Sequence, residues 1–534
     1  MWSRVGFAIL VAAAAWAQPP ADRDPAGPRT GPLYDVVIVL PDGAADLDRL
    51  NAQGYNVTSV DGNSATLVVT AEELLWLAAD GYDVSGAEKH ARAPIATPGA
   101  KGLGAYHSYA TLTSALQDYD DNYGSGQNAN PKIFDLISIG KSVNNRDIWA
   151  VKITDKLNKE ESEPEFRYIA TIHGDEPVGT EMCLYFIDLL LTEYGSDSRI
   201  TKLVDNTEIW IVPLMNPDGL ESVERFNENG FDLNRNFPKW PEDISGTIFE
   251  GAPLNDSGRQ VETQAMMQWS ASHNFVLSAN FHGGARIVNY PYDDDNKGSG
   301  VEAPAPDEDL LHDVALRYST PNSPMYNNSV PDSPGGVING SLWYEITGGM
   351  QDWNYRYLGC NDMTIELDAT KIPNENQLDD LWDDNRESML TYAEAVHIGV
   401  KGIVKDKDTG DPLYARIEVI GNEQPVFTDP DKGDYHRLLL PGTYDLKITA
   451  PGYKNKKVRD VVVAEGEATT VNVKLKPVAL KTDLNGDGKT NSIDIQRMVT
   501  ALLNTPDEKS CDVDSDGKLT VSDLQLIVSH VAAS

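Results

Sequence analysis

Between Tyr106 and Val400 the chain alternates short apolar runs with long helical patterns, and this alternation constrains the fold more than any other feature. EIWIVPL, FVLSANFHG and MTIELDA are brief and rich in β-branched or aromatic residues, whereas EMCLYFIDLLLTEYG and GRQVETQAMMQWSASH carry apolar residues at helical spacing. Repeated strand–helix alternation predicts one large α/β domain, a mixed sheet with helices on both faces. In such a sheet the chemistry sits in loops at strand ends.

At 534 residues the chain exceeds what one hydrophobic core supports, so several domains are expected. The opening MWSRVGFAILVAAAAWAQ joins a basic residue, Arg4, to a short apolar run and a small-residue end, the pattern of a signal peptide over 1–17. A Pro- and Gly-rich spacer (18–32) leads to a short strand–helix alternation (33–85), a small α/β domain or a prosegment, and a linker follows over 86–105. The large domain takes 106–400. At Lys401 the texture changes to period-two alternation with Pro-Gly turns, which predicts a small antiparallel β-sandwich over 401–477. Residues 478–534 hold an internal repeat, DLNGDGKTNSIDIQRMVTALL and DVDSDGKLTVSDLQLIVSHV, each copy a loop followed by one helix.

No stretch is long and apolar enough to span a bilayer, so the expected product is secreted or extracytoplasmic, with cell-surface attachment through the C-terminal repeat as one route. The net charge of −38 works against nucleic acid or an anionic membrane as a partner and suits cationic substrates or bound calcium. Three cysteines, Cys183, Cys360 and Cys511, are too few for a disulfide framework. Whether Cys183 pairs with Cys360 stays open.

In YIATIHGDEPVG an apolar run gives way to a turn that holds His173 and Glu176 three positions apart. Hydrolytic zinc takes three protein ligands of His, Glu or Asp type, so a third is expected at another strand end. His282 ends the run LSANF ahead of two glycines and fits that place. Asn234 and Arg235 set an amide beside a guanidinium fork, groups suited to a carboxylate, and Arg225 adds a second fixed cation. Glu366 lies on an apolar strand, where desolvation can tune it as a base.

The segments HGDEPVG, MNPDGLE, GFDLNRNFP, ANFHGGARIVNYPYD, TGGMQDWNY and TIELD, in that order, resemble the zinc metallocarboxypeptidases of the carboxypeptidase A/B-like family. The resemblance is to the regulatory branch, carboxypeptidases D, E, M and N, and it continues into the sandwich, which in that branch is a transthyretin-like domain. It implies one catalytic Zn2+ on His173, Glu176 and His282, with Glu366 as the general base for the attacking water. It also implies that Arg225 polarises the scissile carbonyl, that Asn234 and Arg235 hold the substrate's terminal carboxylate, and that Tyr344 closes over the terminal residue. Asp293 corresponds to the acidic specificity residue of the basic-preferring branch, and Gln351 stands at the pocket position used by pancreatic enzymes. The activity implied is hydrolysis of the C-terminal peptide bond of peptides or proteins, with release of Lys or Arg.

Both tail loops have EF-hand spacing, with Asp483, Asn485, Asp487 and Asp494 in one and Asp512, Asp514, Asp516 and Asp523 in the other. Aspartate at position 12 and a single following helix resemble a type I dockerin, which implies two Ca2+ and a cohesin-type partner or cell-surface anchor. The expected fold class is α/β, a mixed-sheet zinc carboxypeptidase domain followed by a transthyretin-like β-sandwich and a small α-helical, calcium-loop dockerin-like domain. Two other functional readings remain open from sequence. One is a zinc amidase or deacylase acting on small acyl-amino acids or peptidoglycan peptides; the other is an inactive carboxypeptidase-like binding protein anchored by its tail.

Overall fold

Four adjacent parallel strands, in the order β12 (Asn361–Glu366), β9 (Phe275–His282), β7 (Glu165–Ala170) and β8 (Glu208–Val212), form the middle of an eight-stranded sheet and bring their carboxyl ends to one edge. The computed structural model describes residues 27–29, 31–89 and 104–533, apart from residues 128, 245, 248, 250, 329, 479–481, 487, 488, 505–510 and 514–518. The expected signal peptide, most of the 86–105 linker, and the proposed calcium ligands Asp487, Asp514 and Asp516 lie outside the described residues. The chain divides into two compact units, one ending at Val396 and the other beginning at His397.

In the larger unit the sheet runs β11 (Val337–Asn339), β10 (Ile287–Tyr290), β12 (Asn361–Glu366), β9 (Phe275–His282), β7 (Glu165–Ala170), β8 (Glu208–Val212), β6 (Asp147–Ile153) and β5 (Phe134–Lys141). The antiparallel pairs β10/β12, β6/β8 and β5/β6 make it mixed, as the alternation predicts. Every residue of β8, β9 and β12 is buried, the state of central parallel strands covered on both faces. Consecutive strand residues point to opposite faces. Tyr168 accordingly packs on Phe186 and Tyr392 from the helices Val178–Glu193 and Leu378–Glu394. Its neighbour Ile169 joins the opposite cluster with Met266 and Trp269 of helix Val261–Ala271.

Ahead of this sheet, β1 (Leu33–Val39), β2 (Val57–Asp61), β3 (Ser64–Thr70) and β4 (Glu88–Lys89) form a four-stranded sheet in the order β2-β3-β1-β4, with helices Ala44–Ala52 and Ala71–Ala79. Thr70 and Glu73 close a reciprocal capping box at the start of the second helix. The core of this small domain, Leu47, Leu50, Leu67, Leu74 and Leu77 among others, is continuous with Ile287, Ile338, Trp343, Tyr344 and Ile346 of the large sheet's rim. The two therefore share one apolar core.

The second unit contains two sheets, β16-β13-β19 with β20 also on β13, and β15-β14-β17-β18. Its strands are β13 (Val400–Asp406), β14 (Arg416–Val419), β15 (Val426–Phe427), β16 (Asp434–Arg437), β17 (Gly442–Thr449), β18 (Lys456–Val463), β19 (Thr469–Thr470) and β20 (Val473–Leu475). The inward faces meet in a core that includes Val404, Ile417, Tyr435, Leu446, Ile448 and Val473. The expected antiparallel sandwich holds with one correction: β13 pairs in parallel with both β19 and β20. Helices Ser492–Asn504 and Val521–Ala533 follow, sharing a small core with Met498, Ala501, Cys511, Val513 and Ile527.

Candidate metal centre and substrate pocket

His282 ends β9, and the parallel register sets it directly beside Glu366 at the end of β12. His173 follows the end of β7, the next strand along. Its loop turns tightly because Gly174 has no side chain: a Cβ there would lie 2.0 Å from the backbone carbon of Gly219. Gly219 belongs to the short helix Pro217–Ser222, which carries the chain on to Arg225. Four strand ends thus deliver the metal-type ligands, a carboxylate and an arginine to one place.

His173, Glu176 and His282 are all buried and present donor atoms within 4.8 Å of one another. The second nitrogen of each ring is already used. His173 Nε2 lies 3.1 Å from Asp232 Oδ1, and a carboxylate can only accept. His282 Nε2 lies 2.7 Å from Asn280 Oδ1, the oxygen of an amide whose nitrogen donates to the Met363 carbonyl. Both Nε2 atoms therefore donate, Arg225 Nη1, which can only donate, lies 3.1 Å from His173 Nδ1, and the two Nδ1 atoms are 3.1 Å apart. They face Glu176 Oε2 at 3.0 and 3.1 Å. The two Nδ1 atoms and Glu176 Oε2 converge, with Arg225 Nη1 beside them, and two histidines with one carboxylate are a zinc set. Burial depresses His282 to about 4, keeping it neutral.

Arg225 runs behind this cluster. Its Nε donates to Asp232 at 3.0 Å and its Nη1 lies 3.2 Å from Glu176 Oε1. Burial opposes its charge, but Asp232 and then Glu176 more than offset that and hold it above its ordinary value. Lys371 Nζ adds contacts of 2.8 Å to Asp175 and 3.1 Å to Glu176. Glu366 is 8% exposed, and its Oε2 has no hydrogen-bond partner among the described residues. Burial first, and the charge of Glu176 second, push it up to about 8.

One cavity joins His173, Glu176 and His282 to Arg225, Asn234, Arg235, Asn289, Tyr344 and Glu366. Asn234 Oδ1 accepts the Met350 N–H at 3.0 Å, which turns its amide nitrogen outward for a ligand. Tyr344 is buried on the cavity wall and pushed up to about 12, first by burial. Asp293 stands behind Asn289, whose amide donates to Asp293 Oδ1 at 3.0 Å, and Gln351 Nε2 reaches the same oxygen at 3.2 Å. Burial pushes Asp293 up to about 7, against the opposing pull of Asn289 and Arg235. Gly340 leaves room for that carboxyl, since a Cβ there would come within 1.9 Å of Asp293 Oδ1.

The structure places His173, Glu176, His282, Arg225, Asn234, Arg235, Tyr344 and Glu366 around this cavity, with Asp293 behind Asn289. The sequence reading did not assign Asp232, Asn280 or Lys371, although Asp232 lies inside GFDLNRNFP, two positions ahead of Asn234. It also missed β2, which covers the cavity: Thr58 lines it, the Val57 carbonyl accepts from Arg235 Nη2 at 3.4 Å, and the Val60 carbonyl accepts from Trp343 Nε1 at 3.4 Å. The signal was present in the turn DGN, residues 61–63, between two runs of alternating residues. Cys183, Cys360 and Cys511 are all buried, and Cys183 and Cys360 form no bridge. In the tail, Asp494 accepts the backbone N–H groups of Leu484, Asn485 and Asn491, and Asp523 those of Val513 and Thr520.

An α/β sheet with a buried two-histidine, one-glutamate cluster at its strand ends, beside a buried carboxylate, defines a metallohydrolase-type centre. The family it belongs to follows from comparison. The chain matches the zinc carboxypeptidase family over residues 124–388, a carboxypeptidase regulatory-like domain over 399–476 and a dockerin type I domain over 481–532. It is 39% identical over 405 residues to the carboxypeptidase N catalytic chain of Homo sapiens, covering 70% of this chain and 86% of that one. It is 41% identical over 402 residues to carboxypeptidase D of Homo sapiens, covering 72% of this chain but only 28% of that protein's length. The chain belongs to the zinc carboxypeptidase family. Among solved structures, the carboxypeptidase A from Helicoverpa armigera shares the fold, with a TM-score of 0.51 at 18% identity over 67% of this chain and 96% of that one.

Proposed function

We propose that this chain is a secreted zinc metallocarboxypeptidase that hydrolyses the C-terminal peptide bond of peptides and releases Lys or Arg. The observation that carries the reading is the presence of Asn234 and Arg235 in the same cavity as the metal cluster and Glu366. A carboxylate clamp beside a hydrolytic centre selects chain ends, because an internal peptide bond would leave the half-buried Arg235 without its anion. Asp293 at the back of the cavity supports a basic terminal residue.

A zinc ion held by His173, Glu176 and His282 would supply Lewis-acid polarisation of the scissile carbonyl and acidify water for attack. Glu366 takes the proton from the attacking water and returns it to the leaving amine. Arg225, its Nε fixed on Asp232, stabilises the charge that develops on the carbonyl oxygen, where pre-oriented donors lower a barrier most. Asn234 and Arg235 bind the terminal carboxylate, and Tyr344 covers the terminal residue and keeps water away from the amine.

The domain plan that supports this activity places the catalytic domain at 106–400, the transthyretin-like sandwich at 401–477 and the dockerin-like pair at 478–534. The tail would bind two Ca2+ and anchor the enzyme through a cohesin-type partner at a cell surface. The N-terminal domain at 33–85 would act as a covering prosegment, since the Val57 carbonyl occupies the arginine meant for the substrate carboxylate.

The test is amino-acid release from matched peptides ending in Arg, Lys, Leu, Phe or Glu, using intact protein and protein cleaved between residues 90 and 103. The expected result is release of Arg and Lys that a zinc chelator abolishes and added zinc restores, faster after cleavage. Release of Leu or Phe instead would refute the basic preference, equal rates before and after cleavage would refute the covering role, and no release from zinc-loaded, cleaved protein would refute the peptidase reading.

A further inference from the structure

We infer that Asp352 is a positioning residue for terminal-residue selection, fixing the backbone of Asp293 so that its carboxylate faces the cation of a Lys or Arg side chain. This rests on the basic preference proposed above. Asp352 lies on the short helix Met350–Trp353 and is 8% exposed. Its two oxygens accept the Asp293 N–H at 2.9 and 3.1 Å, and Oδ2 also accepts the Asp294 N–H at 3.1 Å. Two successive backbone N–H groups aimed at one carboxylate form a small anion nest that holds the peptide plane between them.

The adjacent residue completes the grip. Gln351 holds the Asp293 side chain at Oδ1 from the same helix, and the Ile346 N–H holds the Asp293 carbonyl at 3.1 Å. Asp293 is thus fixed at its nitrogen, its carbonyl oxygen and Oδ1. Its Oδ2 carries no hydrogen bond among the described residues and lies 3.5 Å from the Cβ position of Gly349, on the side of Asn234. A charged partner from the substrate would satisfy that oxygen.

A clamp that served the loop alone would be better made from a neutral side chain. Asp352 instead sets a second carboxylate beside Asp293. Burial, and then the charge of Asp293, raise its pKa well above the ordinary aspartate value, with Arg356 opposing. Arg356 is itself held in place, donating to the Asp294 carbonyl at 2.7 Å and stacking on Tyr292 at 3.7 Å. Paired acids behind the pocket cost something in the empty protein and are compensated when a cation arrives.

The experiment compares wild type, Asp352→Asn and Asp352→Ala, cleaved and zinc-loaded, on peptides that differ only in a terminal Arg, Lys, Leu or Phe. Inhibition by free L-arginine and free L-leucine is measured alongside. In Asp352→Ala, KM for Arg and Lys peptides should rise about tenfold more than KM for Leu and Phe peptides, with kcat for the basic peptides changing less than KM. Inhibition by L-arginine should weaken in parallel. Asp352→Asn, which keeps an accepting oxygen but not the charge and is the safer variant to fold, should fall between. A wild type without basic preference overturns the pocket reading and this inference with it. A wild type that prefers Arg and Lys, with variants that lose rate equally on all peptides or keep the full preference, overturns the positioning role alone.

Discussion

The chain carries two kinds of candidate cation site built on opposite plans. The zinc-type centre collects His173, Glu176 and His282 across more than a hundred positions, and a sheet brings them together. Each tail loop draws its candidate ligands from twelve consecutive residues. The sheet-built centre is organised by side chains from its neighbours: Asp232 and Asn280 orient the imidazoles, and Arg225 backs the carboxylate. The loops are organised by their own last ligand, since Asp494 and Asp523 are buried and cap loop N–H groups. A scaffold can hold a metal site open without its ion, whereas a local loop depends on the ion to balance its own carboxylates.

The largest effect should come from the group that reacts without being a ligand. Glu366→Gln removes the proposed base and leaves the three candidate ligands untouched, so kcat/KM should fall by about 10²–10⁴-fold. Zinc content should stay at wild-type level, and stability should be equal or higher, because a buried carboxyl with an unsatisfied oxygen is lost. Loss of zinc together with activity would show that Glu366 belongs to the ligand set, and would collapse the distinction between scaffold and reactant.

Sequence and structure differ in an informative way here. The candidate ligands and Glu366 were readable as candidates because each stands where an apolar strand ends or in a turn just beyond it, and the chain has only nine histidines. The candidate clamp, in the turn Leu233–Arg235 well past β8, was instead read from its residue types and the family resemblance. Asp232, Asn280 and Asp352 were not assigned because their roles depend on side-chain direction across loops, which neither spacing nor periodicity encodes. The cover formed by Val57 and Thr58 was hidden for another reason: docking one small domain on the rim of another leaves no local pattern. The parallel pairing of β13 with β19 and β20 was missed likewise, since alternation marks a strand but not the direction of its partner.

The two plans should also differ in what breaks when one organising carboxylate is neutralised. Asp232→Asn should weaken zinc binding by about 10–100-fold, as the loss of a ligand's hydrogen-bond partner generally does, while the fold survives. Asp523→Asn, or calcium chelation in the wild type, should instead loosen the small tail core. The three buried thiols report this directly. Cys511 sits in the tail core, and Cys183 and Cys360 sit in the large domain. Titration with a thiol reagent under calcium chelation should label one thiol per chain, and peptide mapping should find it at Cys511. Three labelled thiols, or none, would contradict a difference between a scaffolded and a self-organised site.

The smallest effect is on pH dependence, and it sharpens the same contrast. Asp293 is raised to about 7 by burial, so it is mostly neutral at pH 6 and mostly ionised at pH 8. Only the ionised form attracts a Lys or Arg side chain, so the ratio of kcat/KM for an Arg peptide to that for a Leu peptide should rise across this range, by at most about tenfold per pH unit. Glu366 titrates in the same region, but it acts on both peptides alike and cancels in the ratio. For Asp494, burial acts to raise the pKa, yet the N–H groups of Asn491, Asn485 and Leu484 outweigh it and leave the value below the ordinary one. That carboxylate is charged throughout the same window, so calcium affinity should be flat between pH 6 and 8 while substrate preference is not. A flat preference ratio would mean that Asp293 does not read the terminal charge. A calcium affinity that climbs with pH would mean that the loop aspartates share the buried character of the pocket.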